Sequence, residues 1–256
     1  ELQPLADLRV IDLTHGVAGP FSTKLLADFG ADVIKVEKPG TGDLARLAGP
    51  FPGDAIHPEK SGLFLHLNTN KRSLVLNLKT PEGVAIVKEL VKSADILTES
   101  FRPGTLANLG LDYANLKQIN PKLIMTSFTN FGQTGPYSEY KATELIFYAM
   151  GGRMNTTGLP DREPIKLGGR HVQYQAGNVG TMASLFAWYG QEYQSLTGQH
   201  VDISIFESQM ASYNSRMVAL LQYQYTGQRG RRSGNRLGGY PNGYYPCENG
   251  YVNVMG

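Results

Sequence analysis

The sequence predicts an α/β fold: a Rossmann-like parallel sheet with helices on both faces, followed by the beginning of a smaller α+β domain. Short apolar runs of strand length alternate with amphipathic helical stretches through the first 130 residues. The helical stretches carry recognisable start and stop residues. A chain of 256 residues, 41% hydrophobic and 18% charged, also has enough apolar material for a core that needs no cross-links.

In chain order, Val10-Ile-Asp-Leu reads as a short strand with a break at His15-Gly16 behind it. Phe21, Leu25, Leu26 and Phe29 then share one face of a helix that stops at Gly30. Val33-Ile-Lys-Val is the next strand and Leu74-Val-Leu-Asn-Leu another. Thr80 caps a helix whose first position is Pro81 and whose apolar face is Val84, Val87, Leu90 and Val91. Ile96-Leu97 and Leu123-Ile-Met-Thr complete the series, and strands separated by helices imply crossovers and a mostly parallel sheet. Gly and Pro punctuate the chain past residue 130, and helices are expected near 178–190 and 207–224, flanking the strand Val201-Asp-Ile-Ser-Ile. The chain becomes loop-rich from Gly227 and ends on Tyr251-Val-Asn-Val. The large domain is read as residues 1–225 and the start of the small one as 226–256, with a C-terminal part missing.

Composition closes off several functions. The single cysteine, Cys247, excludes a disulfide framework or a cysteine-built metal site and points to a reducing, cytoplasmic setting. No run approaches the roughly 20 apolar residues of a membrane helix, and Glu1-Leu-Gln-Pro-Leu has no export signal. A net charge of +2 does not indicate nucleic acid. The basic run Arg229, Arg231, Arg232 and Arg236 reads as a solvated or interface loop, with a site for an anionic partner as the alternative. Neither G-x-G-x-x-G nor a P-loop is present, so a nicotinamide-dependent dehydrogenase is not supported. No metal site is expected.

Ligands of such sheets bind at the carboxyl ends of the strands. The first strand end, Leu13-Thr-His-Gly-Val-Ala-Gly-Pro, and the run from Leu25 through Gly30-Ala-Asp-Val-Ile-Lys-Val-Glu-Lys-Pro-Gly-Thr-Gly-Asp43 resemble the opening of class III CoA-transferases. That is the family of formyl-CoA transferase and carnitine CoA-transferase. Asn70-Lys-Arg-Ser through Gly83, Ser100-Phe-Arg-Pro-Gly through Gly110, Phe131-Gly-Gln-Thr-Gly-Pro-Tyr137 and Thr197 through Glu207 resemble later blocks of the family in the same order.

The resemblance implies that the large domain binds coenzyme A or an acyl-CoA as substrate, in an interlocked dimer. His15, Gly16, Val17 and Ala18 would meet the pantetheine and thioester. Asn70 opens a block whose cations Lys71 and Arg72, with Lys38, would meet phosphates. Phe101 would border the adenine or the arm, and Lys141 would fall near the acyl end. Asn108 stands where some family members carry an arginine.

Family enzymes use an aspartate carboxylate as nucleophile. Counting back from Gly177 places Gln173 at that position, and no Asp or Glu occurs from Pro164 through Gln191. A glutamine amide cannot form the acyl anhydride, though it can donate a hydrogen bond to a thioester oxygen. Glu144 is a weak substitute carboxylate; His171 as a base and Thr143 in a racemase-like role are disfavoured. The resemblance therefore implies an accessory subunit of a heteromeric CoA-transferase, as in the two-subunit benzylsuccinate CoA-transferases, with a related catalytic chain as partner and a carboxylic acid as acceptor. The alternatives are a homo-oligomeric enzyme using a carboxylate such as Glu144, a non-enzymatic acyl-CoA-binding protein, and an engineered replacement of the aspartate.

Overall fold

The structure, a computed structural model, describes residues 3–210, 216–229, 232 and 241–254. By mutual contact the chain divides into two compact units: Glu1–Lys141 with Val172–Ser208, and Ala142–His171 with Gln209–Gly256. The sequence reading divides at residue 225, so the segments 142–171 and 209–225 are assigned differently by the two divisions.

The first unit is built on a parallel sheet of β1 (Arg9–Leu13), β2 (Asp32–Glu37), β3 (Arg72–Val75), β4 (Ile96–Glu99), β5 (Ile124–Thr129) and β6 (His200–Ser204). The strand order is β3-β2-β1-β4-β5-β6. The helices along the chain are α1 (Ala18–Asp28), α2 (Gly62–Leu67), α3 (Pro81–Val91), α4 (Thr105–Asn108), α5 (Tyr113–Ile119), α6 (Glu144–Met150), α7 (His171–Gln194), α8 (Ile205–Met210) and α9 (Arg216–Thr226).

Successive side chains of a strand point to opposite faces, and here both faces are covered. Ile11, Ile34, Leu97 and Met125 pack with Val87, Val91, Leu106 and Leu116 of α3, α4 and α5. Their neighbours Val10, Val33, Ile96 and Ile124 pack on the other side with Leu26 of α1 and Ala187 of α7. That is why these strands are continuous apolar runs rather than alternating ones. The Thr80 hydroxyl accepts from the Gly83 N–H at 3.2 Å with Pro81 in the first turn, as its sequence predicts. Gly30, with φ of 106°, ends α1 in the left-handed region while the Ala31 N–H reaches back to the Leu26 carbonyl.

Helix α7 begins seven residues earlier than expected. Its glycines look like breaks in the sequence, but they are packing sites. A Cβ on Gly177 would come to 2.7 Å from the Ala18 carbonyl oxygen, and one on Gly180 would run into the Phe128 ring. The opposite side of α7 exposes Val179, Met182, Phe186, Tyr189 and Tyr193, an apolar stripe at helical spacing.

In the second unit, β7 (Gly243–Cys247) and β8 (Gly250–Val254) form an antiparallel hairpin, so the first of these strands replaces part of the expected loop. Arg232 donates to the carbonyls of Leu159, Asn155 and Arg162, closing the loop 155–162. Arg229 is exposed, and Arg231 and Arg236 lie outside the described residues.

Candidate functional site

The chain leaves β1 toward β2 and β3, then returns to the other side of β1 for β4, β5 and β6. A crevice therefore opens at the carboxyl ends of β1 and β4, the place where sheets of this order take ligands. The residues just past those two ends meet each other. The His15 N–H donates to the Ser100 hydroxyl at 2.8 Å, and the His15 ring stands edge-on to Phe101 with centroids 5.6 Å apart. Beneath them is a cavity of about 600 Å³. Leu13, Val36, Leu76, Leu78 and Leu109 give it apolar walls, while Lys38, Asn77, Lys79, Thr105 and Asn108 give it polar groups. An elongated ligand with an apolar body and an anionic end suits that lining.

The loop after β1 is fixed from below by buried charges. Asp12 accepts the Thr14 N–H at 2.9 Å. Lys35 donates to the Thr14 carbonyl at 2.5 Å and to Asp43 at 2.8 Å. Asp43 accepts the Gly16 N–H at 2.9 Å and the Ala45 N–H at 2.8 Å. Gly16 has φ of 81°, which lets the chain turn from strand into α1. Val17 offers no side-chain cap, so the first N–H groups of α1 face the carboxyl end of the sheet.

Burial, and then Lys35, push the His15 imidazole below its usual value, so it is neutral at neutral pH. Burial acts to raise Asp12, but Lys35, Lys71 and the two threonine hydroxyls outweigh it and hold the carboxyl well below its usual range. At Glu37, in the cavity wall, burial is likewise outweighed, here by Arg46, which grips both carboxylate oxygens at 2.8 Å.

The structure gathers some of the sequence-predicted residues and separates others. His15, Lys38 and Phe101 line the cavity. Gly16, Val17 and Ala18 continue the loop from His15 into α1. Lys71 is buried instead, donating to Asp12 at 3.0 Å, the Pro20 carbonyl at 2.8 Å and Asn68 at 2.9 Å, which uses all three of its protons. Burial lowers its amine to about 8. Asn70 donates to Asp28 and Arg72 to Asp32; Asn70 precedes β3 and Arg72 opens it, and neither lines the cavity. Lys141 is an exposed residue at the end of the segment after β5, and Glu144 opens α6 in the second unit.

Gln173 is half-buried on the first turn of α7. It lies four residues before Gly177 and so shares the face that packs on the start of α1. Tyr174 beside it packs edge-on to Phe21, centroids 4.8 Å apart.

The sequence reading missed Lys79, Leu76, Asn77, Ser100 and Thr105. The signal was available: Leu74-Val-Leu-Asn-Leu is a strand, and the residues at and beyond its carboxyl end face the crevice, whereas those before its start do not.

Residues 5–256 match the profile of CoA-transferase family III. The chain belongs to that family. It is 42% identical over 234 residues to the acetyl-CoA:oxalate CoA-transferase of Acetobacter aceti, covering 91% of this chain and 58% of that protein. It is 37% identical over 250 residues to the beta subunit of the succinyl-CoA–L-malate CoA-transferase of Chloroflexus aurantiacus, covering 96% and 60%. A CAIB/BAIF family protein from Brucella suis has the same fold at a TM-score of 0.89 and 35% identity, over 98% of this chain and 65% of that one. The chain thus spans about three fifths of the length of these curated relatives. CoA-transferases take CoA thioesters as substrates. Among the described residues, no group of three or more His, Cys, Asp or Glu is placed to hold a metal, and no helix is long and apolar enough to cross a membrane.

Proposed function

We propose that this chain binds a CoA thioester in the cavity between β1 and β4 and serves as the accessory subunit of a heteromeric family III CoA-transferase. One observation carries the proposal. The α7 position implied for the nucleophilic aspartate holds Gln173, on the face turned to the start of α1, and no carboxylate occurs from Pro164 through Gln191. An amide there has hydrogen-bonding capacity and no charge, so it can orient a thioester but cannot carry an acyl group through an anhydride.

In this reading the phosphates meet Lys38 and Lys79, the pantetheine runs along the apolar wall past His15 and Phe101, and the reacting carboxylate comes from a related partner chain. Neutral His15 adds no charge that would compete with the cations for the phosphates. The exposed stripe on α7 supports burial against a second chain, either the sister subunit or another copy. The relative named as a beta subunit supports a two-chain arrangement by likeness.

The test is isotope exchange of labelled CoA, or of labelled acid, into an acyl-CoA. The full-length protein would be assayed alone, with its co-purifying partner, and as Gln173→Asp. Exchange confined to the mixture supports the accessory role. Strong exchange by the wild-type chain alone overturns it and directs the search to another carboxylate such as Glu144.

A further inference from the structure

A row of polar side chains runs from the carboxyl end of β4, beside the cavity, across the middle of β5 to β6, whose first residue is His200. Glu99 closes β4, with Ser127 opposite it on β5 and Asp202 opposite Ser127 on β6. Glu99 is 3% exposed and Ser127 fully buried, whereas His200 and Asp202 reach the surface. The Ser127 hydroxyl bonds Glu99 and also lies 2.8 Å from His200 Nε2. The Tyr113 ring stacks on His200, centroids 5.5 Å apart. Glu99 Oε2 also accepts the N–H of Phe101 at 2.7 Å. Phe101 is the cavity wall that packs against His15.

Resting on the reading of the cavity as a CoA site, we infer that Glu99 is a positioning residue whose charge state sets how firmly the Ser100–Phe101 corner is held, and through it the grip on the ligand. As an anion Glu99 is an acceptor only, and charge strengthens its bond to the Phe101 N–H. With Ser127 donating to Glu99, His200 Nε2 donates to Ser127. A proton can then pass from His200 to the Ser127 oxygen as the Ser127 proton passes to Glu99, and His200 recovers its proton from solvent. Protonated Glu99 has lost its charge, and the corner loosens.

The groups facing Glu99 make this change fall near neutrality. Burial is the first cause, with Asp202 on β6 adding to it, and Ser127 and the Phe101 N–H oppose them; the carboxyl is raised to about 7. Gln133, whose amide lies 3.5 Å from Glu99, is neutral, as is Leu13 on β1. His200 is lowered by burial, with Asp202 acting against that.

Two measurements on the full-length protein test the inference. The first is CoA affinity between pH 6 and 8 for wild type, Glu99→Gln and Ser127→Ala. Wild type should lose about tenfold in affinity on acidification beyond any change seen in Glu99→Gln, the equivalent of a one-unit shift in the carboxyl. Ser127→Ala should move the midpoint upward, because the anion loses a donor. Parallel profiles for wild type and Glu99→Gln, or an unmoved midpoint, overturn it. The second is hydrogen exchange at the Phe101 amide without ligand. Protection should rise with pH in wild type relative to Glu99→Gln, and an identical dependence overturns the inference independently of CoA. If CoA binds nowhere in the range while Phe101 protection follows Glu99, the cavity reading fails and the role of Glu99 at the corner stands.

Discussion

Replacing Lys71 by Ala should destabilise the protein without weakening its hold on a ligand. The side chain is 1% exposed and its partner Asp12 is fully buried. Removing one member of a buried pair leaves an uncompensated charge and typically costs about 3–5 kcal/mol. Asp12 would keep the Thr14 N–H and hydroxyl, the Thr23 hydroxyl at 2.7 Å and the nearby Lys35 charge. The loss therefore belongs at the lower end, about 3 kcal/mol, against a total of roughly 5–15 kcal/mol for a typical domain. In urea, with a slope of about 2 kcal/mol/M, the midpoint should fall by about 1.5 M. Asp12→Asn combined with Lys71→Met should recover much of it, since no charge is then stranded. Lys79→Ala is the contrasting change. It should leave the midpoint alone and weaken CoA binding up to about fivefold, as expected for an exposed ion pair. A Lys71→Ala protein with an unchanged midpoint and impaired CoA binding would refute the structural assignment and restore Lys71 to the ligand.

Gly180→Ala should cost about 1–3 kcal/mol, because the added methyl meets the buried Phe128 ring; a melting temperature equal to wild type would contradict the packing of α7 on β5. Phe186→Asp, in the exposed stripe of α7, should shift the protein toward smaller species in light scattering after size exclusion while leaving its circular dichroism unchanged. An unaltered mass would show that the stripe is not the contact.

The sheet was legible because four strands carry adjacent apolar residues for opposite faces, a pattern that a buried parallel strand produces and few other structures do. Position along a strand was harder to read. Lys71 and Arg72 carry the right charge, but Lys71 precedes β3 and Arg72 opens it, and only the direction of the chain separates that end of the strand from the one beyond which Lys79 lies. Glu99 was missed for another reason. Its burial and its link through Ser127 to His200 come from three strands set side by side, separated in sequence by up to 101 positions (200 − 99). Gln173 was found by counting, and its bearing on the start of α1 comes from the Gly177 contact that only the packed helix reveals.

The loop from Thr14 to Gly16 is tied peptide by peptide: its amides are held by Asp12, Ser100 and Asp43, and its first carbonyl by Lys35. Ordering a residue costs about 1–2 kcal/mol, and here that cost falls within folding. A ligand arriving at His15 meets a surface that needs no rearrangement, so its encounter should be fast and its selectivity rigid. Substrates that differ in shape at that end would be sorted by fit, because the loop has no slack with which to accommodate them.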